Sequence, residues 1–167
     1  MNNLPPYKDF PNLENENILL KEIEKQDIPT IKSITSYNRV LAKDEIEAWD
    51  FIKKIKNNYN NGLSIHWGIF EKQSNQIIGT CGYYRGFENK RGELGCILLP
   101  DFRAKGFMKQ ALQLAINFGY TILQLNEIYA LTNNNNIQAK NLLNSLNFEL
   151  KKKIDEYDIE IIHQRNQ

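Results

Sequence analysis

The apolar period of this chain changes twice, at Asn61-Gly62 and at Pro100, and those two breaks limit what it can fold into. Between them, residues 64–70, 76–84 and 93–99 are rich in β-branched and aromatic side chains. Turn chemistry at Ser74-Asn75 and from Asn89 to Gly92 separates them, so three successive strands form an antiparallel meander. After Pro100 the spacing becomes helical. Met108, Ala111, Leu112, Ala115, Phe118, Gly119 and Ile122 make one buried stripe of a helix that starts near Gly106.

The flanks extend this pattern. Residues 1–12 are expected as a Pro-interrupted leader, followed by one domain over 13–167. A short strand is expected over 18–23, then a short helix with Asp27 as N-cap and Pro29 in its first turn. Trp49, Ile52, Ile55 and Tyr59 give an apolar face to a second helix over 44–60. Downstream, a strand over 126–132 leads through the polar turn Asn133 to Asn136 into a helix carrying Ala139, Leu142, Leu143 and Leu146. Strands over 148–154 and 157–163 follow. The order β-α-α-β-β-β-α-β-α-β-β predicts an α/β single domain with a mixed, mostly antiparallel central sheet flanked by helices.

Charge and cysteine content narrow the function. Twenty-one Lys and Arg face 20 Asp and Glu, for a net charge of +1, and the cations are mostly scattered. Nucleic acid is therefore not an expected partner. Cys81 and Cys96 each lie inside an apolar strand, as buried thiols do, so neither a disulfide framework nor a metal site is expected. His66 and His163, the two histidines, fall on separate strands and read as structural or surface residues. No apolar run is long enough to span a bilayer or serve as a signal peptide. The expectation is a cytoplasmic protein, monomer or homodimer, with the Asn, Lys and Ile usage of an AT-rich bacterial genome.

The stretch from Leu98 to Met108 carries the chemistry. A strand ends, a turn holds Arg103, Lys105 and Gly106, and an amphipathic helix begins at once. Free N–H groups and the helix dipole make such a start a seat for phosphate or pyrophosphate. A surface loop with a turn glycine explains the bare pattern equally well. The Lys-Ser/Thr spacing of a P-loop is absent.

Two motifs take the reading further. Arg103-Ala104-Lys105-Gly106-Phe107-Met108 resembles the acetyl-CoA signature Gln/Arg-x-x-Gly-x-Gly/Ala of the GNAT acetyltransferase superfamily. Asn136-Ile137-Gln138-Ala139, then Leu142-Leu143 and Leu146-Asn147-Phe148, is similar to that superfamily's second signature. Ile78-Gly79-Thr80 and Glu93-Leu94-Gly95 resemble the subgroup that acetylates N-termini of ribosomal proteins. The resemblance spans roughly residues 13–164. It implies acetyl-CoA as cosubstrate and an amine, on a protein N-terminus or a small molecule, as acceptor.

Residue by residue, the resemblance implies that main-chain amides of Arg103, Ala104, Lys105, Gly106, Phe107 and Met108 hold the pyrophosphate. The backbone of Ile97, Leu98 and Leu99 would pair with the pantetheine arm, and Asn136 would reach the cofactor or simply cap its helix. Glu93 is the best-placed base, acting through a water, or else a strand-end carboxylate paired with a cation. The N–H of Leu98 would polarise the thioester carbonyl. Leu143 and Ala139 stand where relatives carry a Tyr or Ser acid, so the motif supplies no proton donor. Tyr83, Tyr84, Trp67 and Phe87 are core aromatics or line the acceptor cleft. An α-amine, with pKa near 8 against about 10.4 for lysine, is the acceptor that asks least of a base. A small amine such as a polyamine is the alternative, and a non-catalytic acyl-CoA-binding module is the rival from another class.

Overall fold

Alternation of apolar side chains builds the centre of the molecule as the sequence predicts. The computed structural model describes residues 3–165. Its main sheet has eight strands: β1 (Leu13–Glu14), β2 (Ile18–Lys21), β5 (Ile65–Glu71), β6 (Gln76–Tyr84), β7 (Arg91–Leu98), β8 (Glu127–Asn133), β9 (Phe148–Lys153) and β10 (Asp158–His163). They stand in the order β1-β2-β5-β6-β7-β8-β10-β9. Every neighbouring pair is antiparallel except β7 with β8. A separate hairpin joins β3 (Ser36–Tyr37) to β4 (Val40–Leu41).

Four helices cover the sheet: α1 (Ile28–Ile31), α2 (Glu45–Asn60), α3 (Phe107–Thr121) and α4 (Ile137–Asn144). None is long and apolar enough to cross a membrane among the described residues. α3 packs on β6 and β7 through Ala111, Leu112, Ala115, Phe118 and Gly119. Ile122, expected on the same stripe, is exposed just past the helix end. The opposite face is covered by α1 and α2, with Ile28, Ile31, Ala48 and Ile52 buried against Phe70 and Ile77.

Strand parity sorts the aromatics that the sequence left open. Trp67 and Tyr83 point with Ile65 and Leu94 into the α3-side core. Trp67 Nε1 donates to Pro11 O at 2.8 Å and the Tyr83 hydroxyl to Ala115 O at 2.9 Å, so each buried polar tip is satisfied. Tyr84 instead lines a cleft on the α1–α2 side, while Phe87, past the end of β6, packs beside Tyr83 in the core cluster and also borders that cleft.

Local capping corrects one expectation. Asp27 makes no side-chain cap for α1; its carboxylate accepts from Glu24 N–H at 2.8 Å and closes the short 3₁₀ turn that precedes the helix. Asp44 does cap α2, accepting from Glu47 N–H at 2.8 Å. Of the stretch expected as a leader, residues 1 and 2 lie outside the described residues; Leu4, Tyr7 and Phe10 pack against the core, and Tyr7 N–H donates to the Tyr59 hydroxyl at 3.0 Å.

Close packing of α3 on β6 reverses a usual rule. Gly→Ala in a helix normally gains up to about 1 kcal/mol. A Cβ at Gly119 would overlap the Tyr83 hydroxyl and break its bond to Ala115. Gly119→Ala is therefore expected to lower the unfolding free energy by about 1–3 kcal/mol in urea titrations.

Candidate active site

β7 and β8 lie side by side only from Arg91↔Glu127 to Glu93↔Tyr129. Beyond that pair no further register partners join them among the described residues, although β8 stays paired with β10 as far as Asn133↔Asp158. The sheet thus opens like a V at its centre. Within a strand, successive backbone amides point to opposite sides. Leu99 N–H donates to Ile78 O at 2.9 Å, across to β6, so Leu98 N–H turns the other way, into the opening.

This parity refines the expectation for 97–99. Ile97 and Leu99 present their main chain to β6, while Leu98 and, two residues earlier, Cys96 present theirs to the gap. Sequence reasoning misses this part for Cys96; stepping by two from Leu98 is the signal that finds it. The Leu98 carbonyl is taken by Arg103 Nε at 3.1 Å, leaving its N–H as the group on offer.

Past Leu98 a 3₁₀ turn over Pro100–Phe102 leads into the loop that starts α3. Arg103, Ala104, Lys105 and Gly106 are exposed, and Phe107 and Met108 half-buried against the core. Ala104 (φ 57°) and Gly106 (φ 82°) both take the left-handed conformation. For glycine this is free; for alanine it costs roughly 1 kcal/mol, and local strain of this kind is common in ligand loops. A Cβ on Gly106 would meet nothing nearer than Gln110 Nε2 at 3.9 Å. The main chain there is open to a ligand, and the amides at the start of α3 have no intrahelical acceptor. These residues fit a pyrophosphate.

Asn136 caps α4, its Oδ1 accepting from Ala139 N–H at 3.0 Å. Asn147, between α4 and β9, has φ 62°, a left-handed conformation that asparagine tolerates. Leu143 is buried in the core and carries no proton to give.

On the other face the cleft measures about 500 Å³. Its floor is the α1–α2 face of β5, β6 and β7, with Ser64, His66, Thr80, Tyr84, Glu93 and Ile97; its walls include Thr35, Tyr37, Ile52 and Asn58. Glu93 is buried and its carboxylate accepts from Arg85, whose side chain is half-exposed. That bond raises the Arg85 pKa. Arg85 (φ 57°) and Gly86 (φ 85°) are both left-handed, turning the chain at the end of β6 so that the guanidinium meets Glu93.

His66, expected as a structural or surface residue, is held against Tyr84 beside the cleft. Its Nε2 lies 2.7 Å from the Tyr84 hydroxyl, and burial pushes its pKa down to about 4. The rings of His66 and Tyr84 rest over Gly82 and Gly95, a cross-strand pair at which any Cβ would overlap one of the two rings. His163, by contrast, pairs with the Tyr120 hydroxyl at 3.0 Å away from the cleft, a structural role. Cys81 and Cys96 are free thiols on facing strand positions, with burial pushing the Cys96 pKa up to about 12.

A gap between parted strands, an open main-chain loop at a helix start and a cleft with a carboxylate at its floor stand together in a chain that matches one family. Residues 17–149 match the acetyltransferase (GNAT) domain, and the chain belongs to that family. The uncharacterized N-acetyltransferase p20 of Bacillus licheniformis is 30% identical over 154 residues, covering 87% of this chain and 86% of that protein. Among solved structures, a ribosomal-protein-S5-alanine acetyltransferase from Vibrio fischeri superposes with a TM-score of 0.73 at 20% identity, over 90% of this chain and 94% of the other. A spermidine N-acetyltransferase from Vibrio cholerae gives the same TM-score and identity over 89% and 93%. The chain is an N-acetyltransferase of a family whose cosubstrate is acetyl-CoA.

The loop geometry leads to a binding prediction. Coenzyme A at about 100 times its dissociation constant is expected to add roughly 2.7 kcal/mol of stability, a rise in melting temperature of about 5–10 °C. Gly106→Glu, which puts a side chain and a negative charge at the open main chain, should abolish the shift in differential scanning fluorimetry. An equal shift in the variant would remove this loop from the cosubstrate site.

Proposed function

We propose that this acetyltransferase acts on the α-amine of a protein or peptide N-terminus. The observation that carries the reading is the charge of the acceptor cleft. Its charged lining residues are Arg39 and Arg85 against Glu88 and Glu93, two of each sign, and Arg85 already neutralises Glu93. A polycation would be drawn by an excess of carboxylates, and this cleft offers none. A single amine on a neutral, polar chain suits it better. The similarity to spermidine N-acetyltransferases supports a polyamine as the second reading.

In the proposed reaction the neutral amine nitrogen attacks the thioester carbon from the cleft side. The carbonyl oxygen gathers negative charge, which the Leu98 N–H in the opening stabilises. The C–S bond then breaks, the thiolate leaves as coenzyme A, and the nitrogen loses a proton. Glu93, in the cleft floor next to the parting of β7 and β8, takes that proton through a water. At neutral pH about a tenth of an α-amine is already neutral, against well under a thousandth of a lysine. The first acceptor therefore asks less of a base than the second. The thiolate has no protein acid in the family's usual place, Leu143, so solvent supplies its proton.

Two measurements test this reading. Peptides with a free N-terminal Ala, Ser or Met are expected to gain one acetyl group at the α-nitrogen, located by tandem mass spectrometry. Acetylation confined to lysine side chains, or turnover of spermidine alone, would overturn the proposal. Glu93→Gln should lower kcat by roughly 10²- to 10⁴-fold while coenzyme A affinity stays within about twofold. Unchanged turnover would take Glu93 out of the mechanism.

A further inference from the structure

The side chain of Gln110, half-buried in the first turn of α3, joins two distant parts of the chain. Its Oε1 accepts from Asn15 Nδ2 at 2.9 Å and from Asn17 Nδ2 at 3.0 Å, both in the turn between β1 and β2. Its Nε2 donates to Gly106 O at 3.4 Å, the same carbonyl that accepts from the Gln110 main-chain N–H at 3.3 Å. The orientation of this amide is forced. Asn15 Oδ1 already accepts from the N–H groups of Asn17 and Ile18, each at 2.9 Å, so its amino end is the one that faces Gln110. Only an acceptor can meet that end, which turns Oε1 to the asparagines and leaves Nε2 for Gly106.

The turn is itself anchored. Asn15 N–H donates to Ile18 O at 3.1 Å, and Asn17 O accepts from Lys72 N–H at 2.9 Å. The edge of the sheet is thus linked through one side chain to the N-cap carbonyl of α3. What lies across that peptide bond gives the link its use. The peptide unit is planar and trans, so Gly106 C=O and Phe107 N–H point in opposite directions and turn together. Phe107 N–H is a first-turn amide with no intrahelical acceptor, directed out of the helix start. Gly106 brings no side chain to cap the helix and, at φ 82°, little restraint of its own. Each bond to Gly106 O is long, so neither alone fixes the plane firmly.

We propose that Gln110 is a positioning residue of the cosubstrate loop: by tying Gly106 C=O to the β1–β2 turn, it keeps Phe107 N–H directed at the pyrophosphate of acetyl-CoA. Gln110 acts through the main chain, and its effect falls on cosubstrate binding rather than on the attack at the thioester. The inference rests on the reading of residues 103–108 as the pyrophosphate loop and is independent of which amine is the acceptor.

The test is calorimetric titration with coenzyme A, paired with ¹⁵N spectra of the bound state. Gln110→Met keeps the length and packing of the stem and removes both hydrogen-bonding atoms. It is expected to raise the Kd by about three- to tenfold, the worth of a typical hydrogen bond, and to give Phe107 a smaller downfield amide shift at saturation. Asn15→Ser with Asn17→Ala frees Gln110 while a serine hydroxyl still closes the turn, and should raise the Kd by a similar factor. Adding Gln110→Met to that pair should bring no further rise, because all three residues act through one carbonyl. A wild-type Kd and Phe107 shift in Gln110→Met, or effects that multiply in the combined variant, would overturn the positioning role. Gly106→Glu separates this outcome from failure of the underlying reading. Lost binding there beside normal binding in Gln110→Met removes Gln110 alone, whereas normal binding in Gly106→Glu removes the pyrophosphate loop and the proposal with it.

Discussion

The parting of β7 and β8 after Glu93↔Tyr129 is the constraint on which the rest of the site depends. A continuous ladder would have used the main-chain groups of Cys96 and Leu98 internally, because strand edges inside a sheet pair wherever they can. Here β7 follows β6 and β8 follows β10, so the two edges diverge and leave polar backbone facing a gap. The same divergence delivers the chain from Leu98 through the 3₁₀ turn to Gly106, placing the amides of α3 at the end of that gap. On the proposed reading, one opening would align the cosubstrate's extended arm with a seat for its phosphates. Its other mouth meets the cleft where Glu93 and Ile97 stand.

Parity along the strands divides the labour between the two faces. On β5, β6 and β7 the residues Ile65, Trp67, Cys81, Tyr83, Leu94 and Leu98 belong to the α3-side core. Their immediate neighbours Ser64, His66, Thr80, Tyr84, Glu93 and Ile97 belong to the cleft. Stability and chemistry are therefore carried by alternate residues of the same strands. Gly82 and Gly95 show how tightly the second face is built, since neither can gain a methyl group without moving a ring.

Much of this was legible in the sequence, for physical reasons that differ by element. Strands and helices followed the apolar period, and Gly106 stood out as the glycine at a strand-to-helix junction within the signature-like stretch from Arg103 to Met108. The β3–β4 hairpin escaped because its four strand residues are too few to show a period, and Val40 and Leu41 are exposed. Asp27 does stand at the N-cap position of α1, but a 3₁₀ turn runs straight into the helix and its carboxylate is spent on Glu24 N–H, which composition does not reveal. Tyr84 and Tyr83 are adjacent and alike; only the register with Glu93 and Leu94 assigns one to the cleft and the other to the core. His66 carried no spacing signal at all. Its role comes from Tyr84, 18 positions away, and from glycines on two other strands.

The proposed cosubstrate slot turns on one main-chain group. Leu98 N–H faces the gap and Leu99 N–H is bonded to Ile78, so these adjacent amides report on the two sides of the same strand. Nuclear magnetic resonance of the ¹⁵N-labelled protein, titrated with coenzyme A, compares them directly. The Leu98 amide proton should move downfield as it gains an acceptor, together with amides of the 103–108 loop, while Leu99 stays in place. A Leu98 resonance that does not move as the loop amides do would contradict the assignment of the β7–β8 opening as the cosubstrate slot.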